Sequence, residues 1–185
     1  MIIAGQKRKE NIAEYLIYMW QVEDLIRANG LDIDRIKINV IDRFDLTQPQ
    51  KQEMTDWYEG LIEMMRREGV EKSGHLQINK NVLIRLTDLH LALLKDPHFP
   101  EYTAEFYKTL PFIVELRSKS GTIPVGELET CFNALYGMLM LRLQGREVSP
   151  ETLLAVGQIT KFISTLTRNF HLDEAGNLFE RIIEK

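Results

Sequence analysis

The sequence predicts an all-α fold, a single irregular bundle of seven or eight helices that takes in residues 1–185 as one domain. Three observations predict it. Apolar residues recur at helical spacing through most of the chain, and Gly and Pro separate these segments. The composition, 44% hydrophobic and 27% charged, is that of an ordinary globular protein. A chain of 185 residues is long enough to bury one sizeable core.

The first predicted helix runs from about Gln6 to Ala28 and ends at Asn29-Gly30, where a residue that tolerates positive φ is expected. A second helix begins near Asp32. The apolar residues of 33–44 fit both a strand and a helix. We predict a helix there, because a lone strand would have no partner.

The third helix is expected to have Thr47 as its cap and Pro49 in its first turn, and to stop at Gly69. A fourth helix spans about Leu76 to Lys95, between a Lys-Ser-Gly segment and a loop with two prolines. The apolar face of the third helix is predicted to contain Met54, Trp57, Leu61, Met64 and Met65.

The fifth helix covers about Pro100 to Ser118 and contains Pro111, which removes a backbone donor and predicts a kink or a split. The sixth runs from about Pro124 to Gln144. The seventh begins after Ser149, a helix cap, and a final short helix covers about Asp173 to Glu184.

Composition excludes several classes of function. The formal net charge of −4 offers no general basic field, so we expect no nucleic-acid partner. The longest uncharged run, Thr130 to Leu141, is far shorter than the roughly 20 residues of a membrane-spanning helix. The start of the chain lacks the order of a secretory signal, and the single Cys131 cannot form an internal disulfide. These features predict a cytoplasmic protein.

Sequence motifs give no support for a catalytic residue, a metal or a cofactor. Neither glycine-rich phosphate-binding pattern is present. None of the four histidines follows a Glu by three residues, as a di-metal carboxylate site would need. The sequence also lacks a His-Glu-x-x-His pattern and a Cys pair, two common signatures of a zinc site. His98 lies near Asp96 and Glu101, but we interpret it as an exposed loop histidine.

Two charged residues fall within the apolar arc of the first helix. Glu23 and Arg27 share one face, in the order and spacing that favour an ion pair. Desolvating two charges in a core costs several kcal/mol each unless further hydrogen bonds complete the network. His90 faces inward on the fourth helix. If these two helices face each other, the three residues form one buried polar cluster, with Asn79 or Tyr15 as a further contributor.

This cluster has two interpretations, a structural clamp or a ligand site formed by Glu23, Arg27 and His90. The favoured function is a non-enzymatic cytosolic helical protein that acts through self-association as a homodimer, or through a protein partner. Long amphipathic helices are abundant, and no catalytic spacing is recognisable. The alternative is a bundle that binds a small anionic ligand in an interhelical polar pocket, with or without catalysis.

The N-terminal pattern "KRKENIAEYLIYMWQVEDLIRA", followed by "VIDRFD", resembles an uncharacterised bacterial family filed as a domain of unknown function. Members of that family have about this length, and the resemblance covers the whole chain. It implies a cytosolic helical protein. It does not imply an activity, and it transfers no role to any residue.

Overall fold

A computed structural model describes residues 2–120 and 125–178, and the regular secondary structure of these residues is entirely helical. The predicted all-α class is therefore confirmed. Residues 179–184 of the predicted final helix lie outside the described residues. The described helices are α1 (Ile2–Glu10), α2 (Ile12–Ala28), α3 (Ile33–Asn39), a 3-10 helix (Ile41–Arg43), α4 (Gln48–Glu68), α5 (Gln77–Lys95), α6 (Pro100–Ser120), α7 (Glu127–Leu143) and α8 (Pro150–Glu174).

The helices form two compact units that divide between Asn81 and Val82, inside α5. In the first unit, α1 packs against α2, and both α3 and the 3-10 helix pack against α4. Its most deeply buried apolar side chains include Leu16, Ile26, Ile36, Ile41, Met65 and Leu76. In the second unit, α6, α7 and α8 pack against one another. Its core includes Leu86, Leu93, Ile113, Phe132, Phe162 and Leu166.

The prediction of one helix from Gln6 to Ala28 is wrong, because the helix is interrupted at Asn11. This residue has extended backbone angles, and its side-chain Oδ1 accepts hydrogen bonds from the N–H groups of Ala13 at 3.0 Å and Glu14 at 3.1 Å. An Asn side chain competes with the backbone for these donors and so favours a helix start over a helix interior. Two helices, α1 and α2, result.

Residues 33–44 contain α3 and the 3-10 helix, so the helical interpretation of this ambiguous segment is confirmed. Asp32 starts α3, since its side chain accepts hydrogen bonds from the N–H groups of Asp34 and Arg35. Ile36 and Ile41 are buried in the first unit. Their packing, together with the cap, selects the helix.

The predicted limits of α4 are also confirmed. Thr47 precedes it and Gly69 ends it with a φ of +67°, a conformation that glycine adopts without steric cost. Its buried face differs in part from the prediction, because Trp57 and Met64 are only half-buried. The buried residues are Met54, Thr55, Tyr58, Leu61, Ile62 and Met65.

Pro111 does not split α6, which continues from Pro100 to Ser120. Pro111 is exposed, and so is Tyr107, whose carbonyl loses its hydrogen-bond donor, so water can satisfy that carbonyl. In the part of the chain that the structure describes, the helices are too short or too polar to cross a membrane.

Candidate functional site

The first candidate residue, Glu23, is fully buried on α2 and belongs to the first unit. Its carboxylate accepts three hydrogen bonds: from the backbone N–H of Leu76 at 2.9 Å, from Asn79 Nδ2 at 2.7 Å and from His75 Nδ1 at 2.6 Å. Asn79 was a predicted contributor. The three donors replace the water that the carboxylate loses on burial, which is the condition for keeping such a group inside a protein.

These donors are adjacent because they surround the N-terminus of α5. Leu76 immediately precedes that helix and accepts hydrogen bonds from its first turn, including the N–H of Asn79 at 3.0 Å. The N-terminus of a helix carries partial positive charge, so a carboxylate there is stabilised. Glu23 therefore joins α2 to the start of α5 within the first unit.

His75 is held by a second contact as well as by Glu23. Its ring stacks on Trp20 of α2, with centroids 4.2 Å apart and planes inclined by 14°. The His75 side chain is 29% exposed, whereas Trp20 is buried. The imidazole thus covers the carboxylate from the solvent side.

Arg27 binds the loop that leads to His75. Its Nη2 donates to the carbonyl oxygens of Val70, at 3.1 Å, and of Gly74, and its Nε donates to Val70 O at 3.4 Å. Its Nη1 forms an ion pair with Asp24 Oδ1 at 2.7 Å. The ion pair expected with Glu23 is therefore made with the neighbouring acid instead. Only 16% of the Arg27 side chain is exposed.

Tyr15, the other predicted contributor, lies close enough to be affected by the buried carboxylate. Burial raises the pKa of Tyr15, Arg8 lowers it, and the negative charge of Glu23 raises it further. Arg8 also lies over the Tyr15 ring, 5.8 Å from its centroid. Tyr15 therefore remains a neutral hydroxyl at ordinary pH.

His90 lies on the part of α5 that belongs to the second unit, and its side chain is buried. Its Nδ1 and the hydroxyl of Tyr102 form a hydrogen bond of 2.7 Å. Phe106 and Phe162 contact the ring edge-to-face, with centroid distances of 4.8 and 5.7 Å. Thus Glu23 and Arg27 have partners in the first unit and His90 has partners in the second.

The other ring nitrogen of His90, Nε2, is buried without a hydrogen-bond partner among the described residues. Oε2 of Glu127 lies 3.8 Å from it, which is beyond hydrogen-bond distance. Burial lowers the pKa of His90, and Glu127 opposes that shift. The ring is therefore neutral at ordinary pH.

Two further groups of the second unit are buried and neutral, namely Tyr102, which is the partner of His90, and Cys131. Burial raises the pKa of Tyr102 far above its usual value and raises the pKa of the Cys131 thiol to about 12. The thiolate is the nucleophilic form of cysteine, so Cys131 is unreactive in the folded protein. In the described part of the chain, no three His, Cys, Asp or Glu residues are placed to hold a metal ion.

Residues 1–177 match the family described as Domain of unknown function (DUF4924). The chain belongs to this family. The match covers every helix from α1 to α8. It therefore includes Glu23, Arg27 and His90 together with their partners. No match was found among curated proteins or solved structures.

In this DUF4924 chain, two polar networks were not predicted from the sequence. One is the pairing of Glu23 with His75, which lies 52 residues away in a loop. Its only sequence signal was the position of His75, immediately before the expected start of a helix. The other is centred on Glu105 of α6, which bonds Gln158 Nε2 at 2.7 Å and Lys161 Nζ at 2.9 Å on α8. A hydrogen bond from Lys161 holds the pKa of Glu105 below its usual range.

Proposed function

We propose that this DUF4924 chain is a non-enzymatic cytoplasmic protein that acts through self-association, and that the outer face of α6 is the contact surface. The observation that carries the proposal is a stripe of four exposed apolar residues, Ala104, Tyr107, Pro111 and Val114. We call these four residues the α6 stripe.

The spacing of the α6 stripe is three, four and three residues, as in the seam of a two-helix contact. Tyr107 is 63% exposed and Val114 is 57% exposed, so both leave a large apolar area in water. At 1.5 Å per residue the stripe extends about 15 Å along the helix. Burying an aligned apolar surface of this kind against another helix is favourable.

The occupant we propose is a second copy of the chain. Lys108 and Glu115 both flank the α6 stripe on the same side, one heptad apart. When two α6 helices pack antiparallel about a twofold axis, Lys108 of each copy can lie opposite Glu115 of the other. Glu115 pairs with Lys119 of its own helix at 2.6 Å, but both side chains are well exposed, and such pairs are worth only a few tenths of a kcal/mol.

The contacts of Arg27 and Glu23 favour a clamp within the first unit over the alternative, a site for a small anionic ligand. Arg27 already donates to Asp24 and to two backbone carbonyl oxygens. Glu23 already accepts from three protein donors. An anion would have to displace these contacts, so we assign both residues a structural role.

The test is the mass of the protein in solution, measured by native mass spectrometry and sedimentation equilibrium. We expect the wild type at twice the 21.6-kDa chain mass. Tyr107→Glu should raise the dimer dissociation constant by at least about tenfold, because it places a charge in the seam. Leu154→Glu is the matched control, since Leu154 is 67% exposed on α8 and is not part of the stripe. A monomeric wild type, or equal effects of the two variants, would contradict the proposal.

Charge exchange tests the orientation of the two copies. Lys108→Glu and Glu115→Lys should each weaken the dimer, because each places like charges opposite one another. The combined variant restores opposite charges and should return the dissociation constant towards the wild-type value. Additive weakening in the combined variant would exclude the antiparallel arrangement.

A further inference from the structure

A cleft of about 240 Å³ lies in the second unit between α5 and the N-terminus of α7. Its α5 wall includes Leu83, Ile84 and Leu91, and its α7 wall includes Leu128. His90 and Glu127 also line it. The cleft has room for far more than one bridging water, since a single water needs only about 10 to 15 Å³ of such volume.

His90 gives this cleft a specific recognition group. Only 2% of the His90 side chain is exposed, and its Nε2 has no hydrogen-bond partner among the described residues. A buried polar atom without a partner is costly, so most such atoms in native proteins are satisfied by protein, water or ligand. Glu127 Oε2 lies 3.8 Å from Nε2, too far for a direct hydrogen bond, so the two groups do not satisfy each other.

The charge of the cleft selects the kind of ligand. Asp88, Glu127 and Glu129 line it, and no Lys or Arg is found among the described residues of its lining. The two glutamates also face the partial positive charge at the start of α7, which they offset. Three carboxylates beside apolar walls favour a cation with an apolar body and disfavour an anion.

We propose that this cleft binds a small aliphatic amine as its ammonium ion. The ammonium donates hydrogen bonds to Nε2 of His90 and to the carboxylate of Glu127, while its alkyl chain packs against Ile84 and Leu91. In this complex Nδ1 carries the ring proton and donates to the Tyr102 oxygen, which leaves Nε2 as the acceptor; the 2.7 Å contact between Nδ1 and the Tyr102 hydroxyl is compatible with this tautomer. The ligand satisfies the buried nitrogen and is held by the nearby carboxylates.

Binding is tested by ligand-observed NMR and calorimetry with butylamine and 1,4-diaminobutane. We expect both amines to bind, and 1-butanol and butanoate to bind at least about tenfold more weakly, because neither carries the positive charge. Failure of both amines to bind at millimolar concentration would overturn the proposal. So would equal binding of 1-butanol, or tighter binding of butanoate.

Substitutions in the cleft test whether the amine binds there. Glu127→Gln should weaken amine binding by about tenfold or more, and it should fold normally because 37% of the Glu127 side chain is exposed. The matched control is Glu63→Gln, which removes an exposed carboxylate from α4 in the first unit. Binding that Glu127→Gln leaves unchanged, or that Glu63→Gln weakens equally, would overturn the assignment. The Tyr107→Glu variant should retain amine binding, so this test is separate from that of self-association.

Discussion

At the scale of single residues, the sequence identified the inward-facing Glu23 and His90 and named Asn79 as a contributor, but it missed the partners His75 and Tyr102. A helical wheel is enough to place Glu23 and His90 on buried faces, since it needs only the local helix. The partner of Glu23 is a loop histidine more than 50 residues further along the chain. The partner of His90 is Tyr102 on the next helix. Neither pairing follows from helical periodicity.

We expect Glu23→Ala to lower the free energy of unfolding by roughly 3 to 5 kcal/mol, because it leaves the Leu76 N–H, Asn79 and His75 without their acceptor. Glu23→Gln should cost less, since its amide oxygen can still accept from Leu76 and Asn79. The measurement is urea denaturation, with Glu63→Ala as the exposed control expected within about 0.5 kcal/mol of the wild type. A loss below 1 kcal/mol for Glu23→Ala would show that the three hydrogen bonds contribute little net stability.

At the scale of helices, local capping signals fixed most boundaries correctly. Thr47, Gly69 and Ser149 mark helix ends where predicted, because a cap acts on the backbone within one turn of itself. The break at Asn11 was missed, since the apolar periodicity continues on both sides of it. Pro111 was expected to kink or split its helix, and it does not split α6, which continues to Ser120. The helix tolerates the hydrogen bond lost at Pro111 because that residue lies on its exposed face.

Asn11→Ala should destabilise the protein by about 1 kcal/mol, because the N–H groups of Ala13 and Glu14 lose their side-chain acceptor. Asn11→Asp retains an acceptor at the same position and should lie within about 0.5 kcal/mol of the wild type. Both values come from urea denaturation at one pH. If Asn11→Ala matched the wild type, the cap at α2 would be energetically unimportant.

At the scale of the whole molecule, we propose that the chain unfolds as one domain, although its helices form two compact units. The reason is α5, an unbroken helix whose residues belong to both units. Losing either unit would leave one end of that helix without its packing partners. Most helical stability comes from such packing and not from intrinsic propensity.

The chain supplies separate probes for the two units. Both tryptophans, Trp20 and Trp57, lie in the first unit, and the single buried thiol, Cys131, lies in the second. We expect tryptophan fluorescence and Cys131 labelling to report the same urea midpoint, as for a two-state protein. The fully unfolded chain, with its one reactive thiol, calibrates the labelling. Two distinct midpoints would show that the units unfold independently.

The sequence by itself determined the all-α class, most helix limits and the inward position of Glu23, because these depend on periodicity and on caps within a few residues. The tertiary structure decided which distant groups meet. It brought His75 and Asn79 to Glu23, and it paired Arg27 with Asp24 and with carbonyl oxygens of the loop after α4. It also buried Nε2 of His90 without a hydrogen-bond partner among the described residues. Such contacts depend on how helices pack, a choice made by the summed burial of many side chains. No short stretch of sequence contains that information.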